Sequence, residues 1–206
     1  MVCSHIYKPF SVYTFLIFLK KCLKSASVRY MRYSETEAVV IIEQFKKCSI
    51  SDLGALFNRE TLPIFGEIEG ETAGAILALN PVNPWWLSCV IKIAFKSPLG
   101  QWTGKKFLTS FNEEKKGYGI NLFKSRYFPC LFKFDTYVKN AYVDDKPCLA
   151  LDYRAYRSLA LGLVDEVRKI RDGQALGRAY YKFPWRRQMW FVGYFVLCAL
   201  DTNFTN

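Results

Sequence analysis

The sequence is almost without histidine, and this absence excludes several kinds of chemistry. Among its 206 residues the single histidine is His5, close to the start of the chain. A Ser-His-Asp triad, a Cys-His pair and a metal site with histidine ligands all need a histidine inside the fold. The sequence therefore predicts no catalytic histidine, no metal and no other cofactor.

Paired cysteine motifs are missing as well. The seven cysteines include no C-x-x-C pair, and an odd number does not suit a disulfide framework. Reduced thiols of this kind are typical of a cytosolic chain. A cytoplasmic location is therefore predicted, with a membrane-peripheral or an organellar location as the alternatives.

Acidic residues are absent from the first thirty positions, which hold five lysines and arginines. The net charge of the chain is +11, and subtracting these five charges leaves +6 for the remainder. A positive surplus attracts nucleic acids and anionic membranes, and it also keeps a protein soluble. Both interpretations stay open at this point.

The apolar run at residues 10–19 is too short to span a membrane, because a transmembrane helix needs about 20 apolar residues. We expect residues 1–33 to form a basic, apolar N-terminal extension. It is an interfacial anchor with weak membrane-surface association through residues 10–24, a transit peptide, or a stretch upstream of a start at Met31. Residues 34–200 are predicted to form one domain, and residues 201–206 a tail.

Three helices are predicted in this domain. Ser34 and Glu37 have the spacing of a capping box, which predicts a helix from residue 34 to about residue 47. A shorter helix is expected over residues 51–57. The segment 85–96 has polar residues four positions apart between apolar ones, which predicts a third helix. A helix this apolar is buried or covers the end of a barrel.

Short runs separated by turns predict strands in the second half of the chain. They cover residues 103–111, 117–124, 130–139, 148–153, 165–170, 174–182 and 189–199. An earlier strand-like region, rich in small residues, is predicted to begin at Gly66. The pair Asp172-Gly173 favours the tight turn of a hairpin. Repeated short antiparallel strands predict a mainly β protein, α+β by content, with a barrel or a strongly curved sheet.

Residues 99–107, LGQWTGKKF, place Trp102 between Gly100 and Gly104. This segment resembles the signature of the GXWXG domain family. Residues 62–74, LPIFGEIEGETAG, resemble the other glycine-bracketed segment of that family, with Ile68 in place of the tryptophan. Three later segments look like the companion domain of unknown function that follows it; they are residues 146–153, 165–182 and 194–200.

The resemblance implies a small, mostly β, calycin-like or lipocalin-like protein without an established activity. It draws attention to the matched positions, which are Gly66, Gly70, Trp102, Gly104, Lys105, Asp152, Asp165, Arg168 and Gly177. In a barrel, glycines such as these and Gly100 let a strand bend or let a neighbour approach. A tryptophan between two of them can plug or line the interior.

The predicted function is non-enzymatic binding of a small hydrophobic or amphipathic ligand. The residues predicted to line the pocket are Trp102, Lys105, Asn121, Arg126, Asp152, Asp165, Glu166 and Arg168. Paired charges at one end of an aromatic cavity would suit an amphipathic anion, such as a fatty acid. The alternative for Arg168 is a structural ion pair with Asp165 or Glu166.

Two other functions stay open. A barrel isomerase or cyclase could use Asp152 with Asp165, or Lys105 with Glu166, as an acid–base pair. Aromatic and basic residues alternate over residues 180–187, as in surfaces that stack nucleic-acid bases. Such residues are also ordinary around a hairpin turn, so nucleic acid is not an expected partner.

Overall fold

Eight antiparallel strands close into a barrel in the computed structural model. It describes residues 30–201, apart from 64, 97–100, 110–116, 126–128, 157 and 159. The predicted anchor at residues 10–24, Gly100, Arg126 and residues 202–206 of the predicted tail therefore lie outside the described residues. The strands are β1 (Gly70–Leu79), β2 (Gln101–Thr109), β3 (Gly117–Lys124), β4 (Cys130–Asn140), β5 (Pro147–Asp152), β6 (Leu163–Arg171), β7 (Gln174–Tyr181) and β8 (Trp190–Ala199).

Each strand pairs with the next strand along the chain, and β1 closes the barrel by pairing with β8. The predicted mainly β fold is confirmed, and it is a closed barrel rather than an open curved sheet. This up-and-down arrangement is the one that lipocalins use. Residue Gly66, where the sequence suggested the start of a strand, lies instead in a short helix, α3 (Phe65–Ile68).

Helices α1 (Glu35–Phe45) and α2 (Ile50–Arg59) pack on the outside of the barrel. Ser34 and Glu37 form the predicted capping box, and Ser49 with Asp52 forms a second one that begins α2. Apolar residues of both helices cover the outer faces of β5, β7 and β8. The outer face of the barrel is therefore buried on this side, in addition to its interior.

Replacement of Ser34 by alanine is expected to lower the free energy of unfolding by about 1 kcal/mol, because the Glu37 backbone N–H loses its acceptor. Urea denaturation of the wild type and the variant measures this. Glycine at position 34 is the control, since glycine at a helix N-cap costs only a few tenths of a kcal/mol. Equal losses for alanine and glycine would contradict the capping role.

The connections that follow β1, β5 and β7 leave the barrel at one end, called the mouth below. The connection after β1 contains the predicted apolar helix, α4 (Trp85–Lys96). Its inner residues Leu87, Ile91 and Phe95 pack against the barrel. Among the residues that the structure describes, no helix has the length and apolar character needed to cross a membrane.

Gly104, two residues after Trp102, allows β1 and β2 to approach each other closely. Gly104 has φ of +154°, and a Cβ there would lie 1.8 Å from the carbonyl oxygen of Thr72. The register of the β2–β3 pairing shifts between Trp102 and Gly104. Trp102 is thereby turned into the barrel, where its ring packs edge-to-face on Phe195.

Candidate functional site

A cavity lies inside the barrel near the mouth, beneath α4. Its volume is about 90 Å³, several times what one water molecule needs. Most of its lining is apolar, and α4 contributes Ile91 and Phe95. The charged side chains among the described lining residues are Lys105 and Asp165, which stand on β2 and β6.

The ammonium group of Lys105 is the centre of a buried polar cluster. Its Nζ lies 3.0 Å from Asp165 Oδ2, 2.8 Å from Asn121 Oδ1 and 2.5 Å from the hydroxyl of Tyr153. An ammonium group has three N–H donors, and these three acceptors use all of them. The Lys105–Asp165 pair is nearly inaccessible to solvent, with side chains 3% and 4% exposed.

Four aromatic rings surround the same ammonium group. Its Nζ lies 5.1–5.3 Å from the ring centroids of Trp102, Phe134, Tyr153 and Phe195. At these distances the faces of aromatic rings attract a cation. The rings and Asp165 together offset part of the cost of removing the charge of Lys105 from water.

The remaining hydrogen bonds of the cluster are nearly complete. Asn121 Oδ1 also accepts from the indole N–H of Trp102, and Asn121 Nδ2 donates to Tyr153 and to the carbonyl of Phe132. The Tyr153 hydroxyl donates to Asp165 Oδ2 at 3.1 Å. Within the described part of the chain, no hydrogen bond reaches Asp165 Oδ1, so the cluster has an acceptor to spare.

Burial changes the protonation behaviour of two members of the cluster. It lowers the pKa of Lys105 below its ordinary value, while the charge and hydrogen bond of Asp165 oppose this shift. Burial also raises the pKa of the Tyr153 hydroxyl well above its ordinary value, and the charge of Asp165 adds to the shift. Tyr153 is therefore a neutral hydroxyl at physiological pH.

The structure brings together four of the residues that the sequence predicted: Trp102, Lys105, Asn121 and Asp165. It corrects the placement of Asp152, which faces outward at the end of β5. There the carboxylate accepts hydrogen bonds from Arg154 and Tyr137. Asp152 and Asp165 therefore do not form an acid–base pair.

Arg168 also lies outside the cavity, on the outer face of β6 beneath α2. Its guanidinium is fully buried and makes a two-pronged ion pair with Asp144 at 2.7 and 2.6 Å. Neither Asp165 nor Glu166 is its partner. Glu166 also faces outward, where it pairs with Lys139, so the suggested acid–base pair of Lys105 with Glu166 does not form.

Tyr153 is the member of the cluster that was missed as a site residue. Leu149, Leu151 and Tyr153 alternate with Cys148, Ala150 and Asp152, and side chains two residues apart point to the same face of a strand. The inward position of Leu151 therefore indicates that Tyr153 points inward too. The charge of Asp152 drew attention to the outward-facing neighbour instead.

Two of the glycines in the segments that resemble the GXWXG family lie where the fold itself requires glycine. The ring of Phe195 lies over Gly177, where a Cβ would come within 2.0 Å of it. Gly70, with φ of +88°, begins β1.

Among the described residues, no group of three or more His, Cys, Asp or Glu side chains is arranged to hold a metal ion.

No model of a known protein family matches the chain, and no curated protein matches it. Among solved structures, the chain is similar to a protein from Thermomonospora curvata whose crystal structure is known. The two are 15% identical with a TM-score of 0.46, and the match covers 81% of this chain and 98% of that one. The resemblance to the GXWXG domain family stays a prediction.

Proposed function

We propose that the protein binds a small amphipathic molecule in the barrel cavity, with a hydrogen-bond-donating group of the ligand on Asp165 Oδ1. The observation that carries this proposal is the spare acceptor of a polar cluster that is otherwise saturated. Ligand pockets combine apolar walls with a few converging polar groups, and this cavity has both.

The charge balance of the cavity bears on the ligand class. Asp165 neutralises Lys105, and the three donors of Lys105 are already engaged. A carboxylate, which the sequence suggested, would meet Asp165 Oδ1 without gaining a free donor. A hydroxyl or an amine is therefore the better partner for Asp165 Oδ1, and an apolar alcohol is the first ligand to test.

The size of the cavity limits the part of the ligand that it encloses. About 90 Å³ is below the roughly 300–1,000 Å³ of common ligand pockets. The cavity therefore suits a small ligand, or the polar head of a longer one whose tail extends past α4. Ile91 and Phe95 would contact the apolar part of either molecule.

Replacement of Ala179 by leucine is expected to weaken ligand binding by about tenfold or more, because the larger side chain fills the cavity that Ala179 lines. Calorimetric titration of the full chain with octanol and with octanoate measures this. Octanol is expected to bind the wild type more tightly than octanoate near neutral pH. Native mass spectrometry of the purified protein shows whether a cellular molecule is retained.

The matched control is Ala155→Leu, because Ala155 is exposed and does not line the cavity. It is expected to bind octanol as the wild type does. The proposal fails if neither compound binds, or if Ala179→Leu and Ala155→Leu bind alike. Tighter binding of octanoate would overturn the assignment of Asp165 Oδ1 as the contact.

A further inference from the structure

The mouth carries an unusual set of exposed apolar side chains. Trp85 is 79% exposed, Trp185 is 73% exposed, and Val82 and Ile93 are each 68% exposed. Large apolar side chains grouped on a protein surface mark sites of interaction. Together with the half-exposed Trp86, these residues are called the mouth surface below.

Contacts between aromatic rings join α4 to the β7–β8 connection, and both of these elements contribute to the mouth surface. Trp86 of α4 packs edge-to-face on Phe183, with ring centroids 5.9 Å apart. Phe183 in turn stacks with Trp185 of the β7–β8 connection at 5.2 Å. The rings of Trp86 and Trp185 are therefore linked through the buried ring of Phe183, which places α4 and the β7–β8 connection side by side at the mouth.

Positive charge surrounds this surface. Residues 80–100 and 182–189 contain no aspartate or glutamate. Lys92 on α4 and Arg186 and Arg187 on the connection are exposed, and Lys182 is half-buried. Asp152, at the end of β5, is neutralised by Arg154.

The turns at the opposite end of the barrel carry charges of both signs. Asp144 pairs with Arg168, Asp172 pairs with Lys169, and Lys146 follows Asp145 in the β4–β5 turn. The mouth differs in that the cations of α4 and of the β7–β8 connection have no acidic residue within their own segments.

We propose that the mouth surface docks on an anionic lipid bilayer. Tryptophan is enriched where proteins meet the membrane–water interface. Lysine or arginine near an anionic leaflet contributes about 1 kcal/mol of attraction per residue. Aliphatic Val82 and Ile93 extend the surface beyond its aromatic rings, which suits acyl chains and gives nothing to the stacking of nucleic-acid bases.

Helix α4 would then face the bilayer and the cavity at the same time. Trp85 and Ile93 are on its exposed side, and Ile91 and Phe95 line the cavity. An apolar ligand could pass between the bilayer and the barrel without crossing water. Docking itself does not depend on the proposed function, because none of the mouth-surface residues lines the cavity.

The test is co-sedimentation of the full chain with phosphatidylcholine vesicles, with and without phosphatidylserine. The double variant Trp85→Gln/Trp185→Gln is expected to bind the anionic vesicles at least about tenfold more weakly than the wild type. Arg186→Gln/Arg187→Gln is expected to weaken binding to anionic vesicles selectively. Residues 1–29 are the same in every variant, so the differences report the mouth surface alone.

Tyr118→Gln is the matched control, since Tyr118 is an exposed aromatic residue on β3, distant from the mouth. Quenching of tryptophan fluorescence by brominated lipids should occur in the wild type and fall in the tryptophan double variant. Ala179→Leu should still bind vesicles, which separates a failure of docking from a failure of ligand binding.

Three results would overturn the proposal. The first is equal vesicle binding by the wild type and the tryptophan double variant. The second is absent vesicle binding together with binding of a single-stranded oligonucleotide that the same double variant loses. The third is absent vesicle binding with dimerisation in sedimentation velocity that the double variant abolishes, which would assign the surface to a second copy of the chain.

Discussion

Replacement of Lys105 by methionine is expected to lower the free energy of unfolding by about 3–5 kcal/mol at neutral pH. The substitution leaves the carboxylate of Asp165 buried without its cation, and it removes a donor from Asn121 and from Tyr153. A buried charge without a partner costs far more than a buried ion pair contributes. Urea denaturation at neutral pH measures the loss.

The double variant Lys105→Met/Asp165→Leu should recover most of that loss, because it removes both charges and fills the space with apolar atoms. Lys105→Met alone leaves the carboxylate of Asp165 in the barrel interior without its cation, so the single variant should be less stable than the double one.

Two measurements could contradict this account of the cluster. A loss below about 1 kcal/mol for Lys105→Met would mean that water or another group replaces the ammonium. A double variant as unstable as the single one would mean that the fold needs the shape of Lys105 rather than its charge. Lys106→Met is the control, because Lys106 is the neighbouring lysine and pairs with Glu71 in a half-exposed position.

Replacement of Arg168 by methionine is expected to cost a similar amount, about 3–5 kcal/mol. All five N–H donors of its guanidinium are engaged, two with Asp144 and three with backbone carbonyls. These carbonyls belong to Phe57, at the end of α2, and to Lys146 and Pro147, at the start of β5. The side chain thus fastens α2 and the β4–β5 turn to the barrel.

Hydrogen exchange of residues 50–59 should show whether α2 loosens in this variant. Arg168→Lys keeps the charge but cannot reproduce the planar fork, so it should fall between the wild type and Arg168→Met. Arg171→Met, at the exposed end of the same strand, is the control and should be close to neutral. The role of Arg168 in holding α2 on the barrel would be contradicted if Arg168→Met changed neither the hydrogen exchange of α2 nor the midpoint of urea denaturation.

The same pair predicts a pH dependence. The hydrogen bonds from Arg168 hold the pKa of Asp144 below its ordinary value, and nearby positive charges add to this. A carboxyl group with a lowered folded-state pKa stabilises the fold above its ordinary pKa of about 4 and loses that contribution as the pH falls through the folded value. The wild type and Arg168→Met should therefore differ less in their free energy of unfolding at acidic pH than at neutral pH.

The sequence was sufficient for the strands of the barrel and for one capping box. Turn residues such as Asp172-Gly173 and the alternation of apolar side chains place a strand within a few residues. The same local information could not show closure, because the pairing of Thr72 with Ala199 joins positions far apart in the chain. It also missed the capping box at Ser49, where Asp52 stands in place of the usual glutamate.

The site was predictable only in part, because side chains along a strand alternate between its two faces. Residues 165 and 168 differ by an odd number and therefore face opposite sides of β6, so Asp165 and Arg168 could not both point into one cavity. Both residues were predicted to line the pocket because they are charged. A second difficulty is that α1 and α2 bury the outer face, which makes the outward residues as apolar as the inward ones.

Closure of the barrel by β1 and β8 also bears on how the chain reaches its fold. Neighbouring strands can form as successive hairpins, but the first and last strands must meet after the intervening chain is in place. One of the eight pairings is of this distant kind, and a distant pairing slows folding because chain entropy is lost before its contacts form. Until the two strands meet, each has an open edge that can pair with another chain. The native barrel hides both edges, so the risk of aggregation belongs to the folding chain rather than to the finished protein.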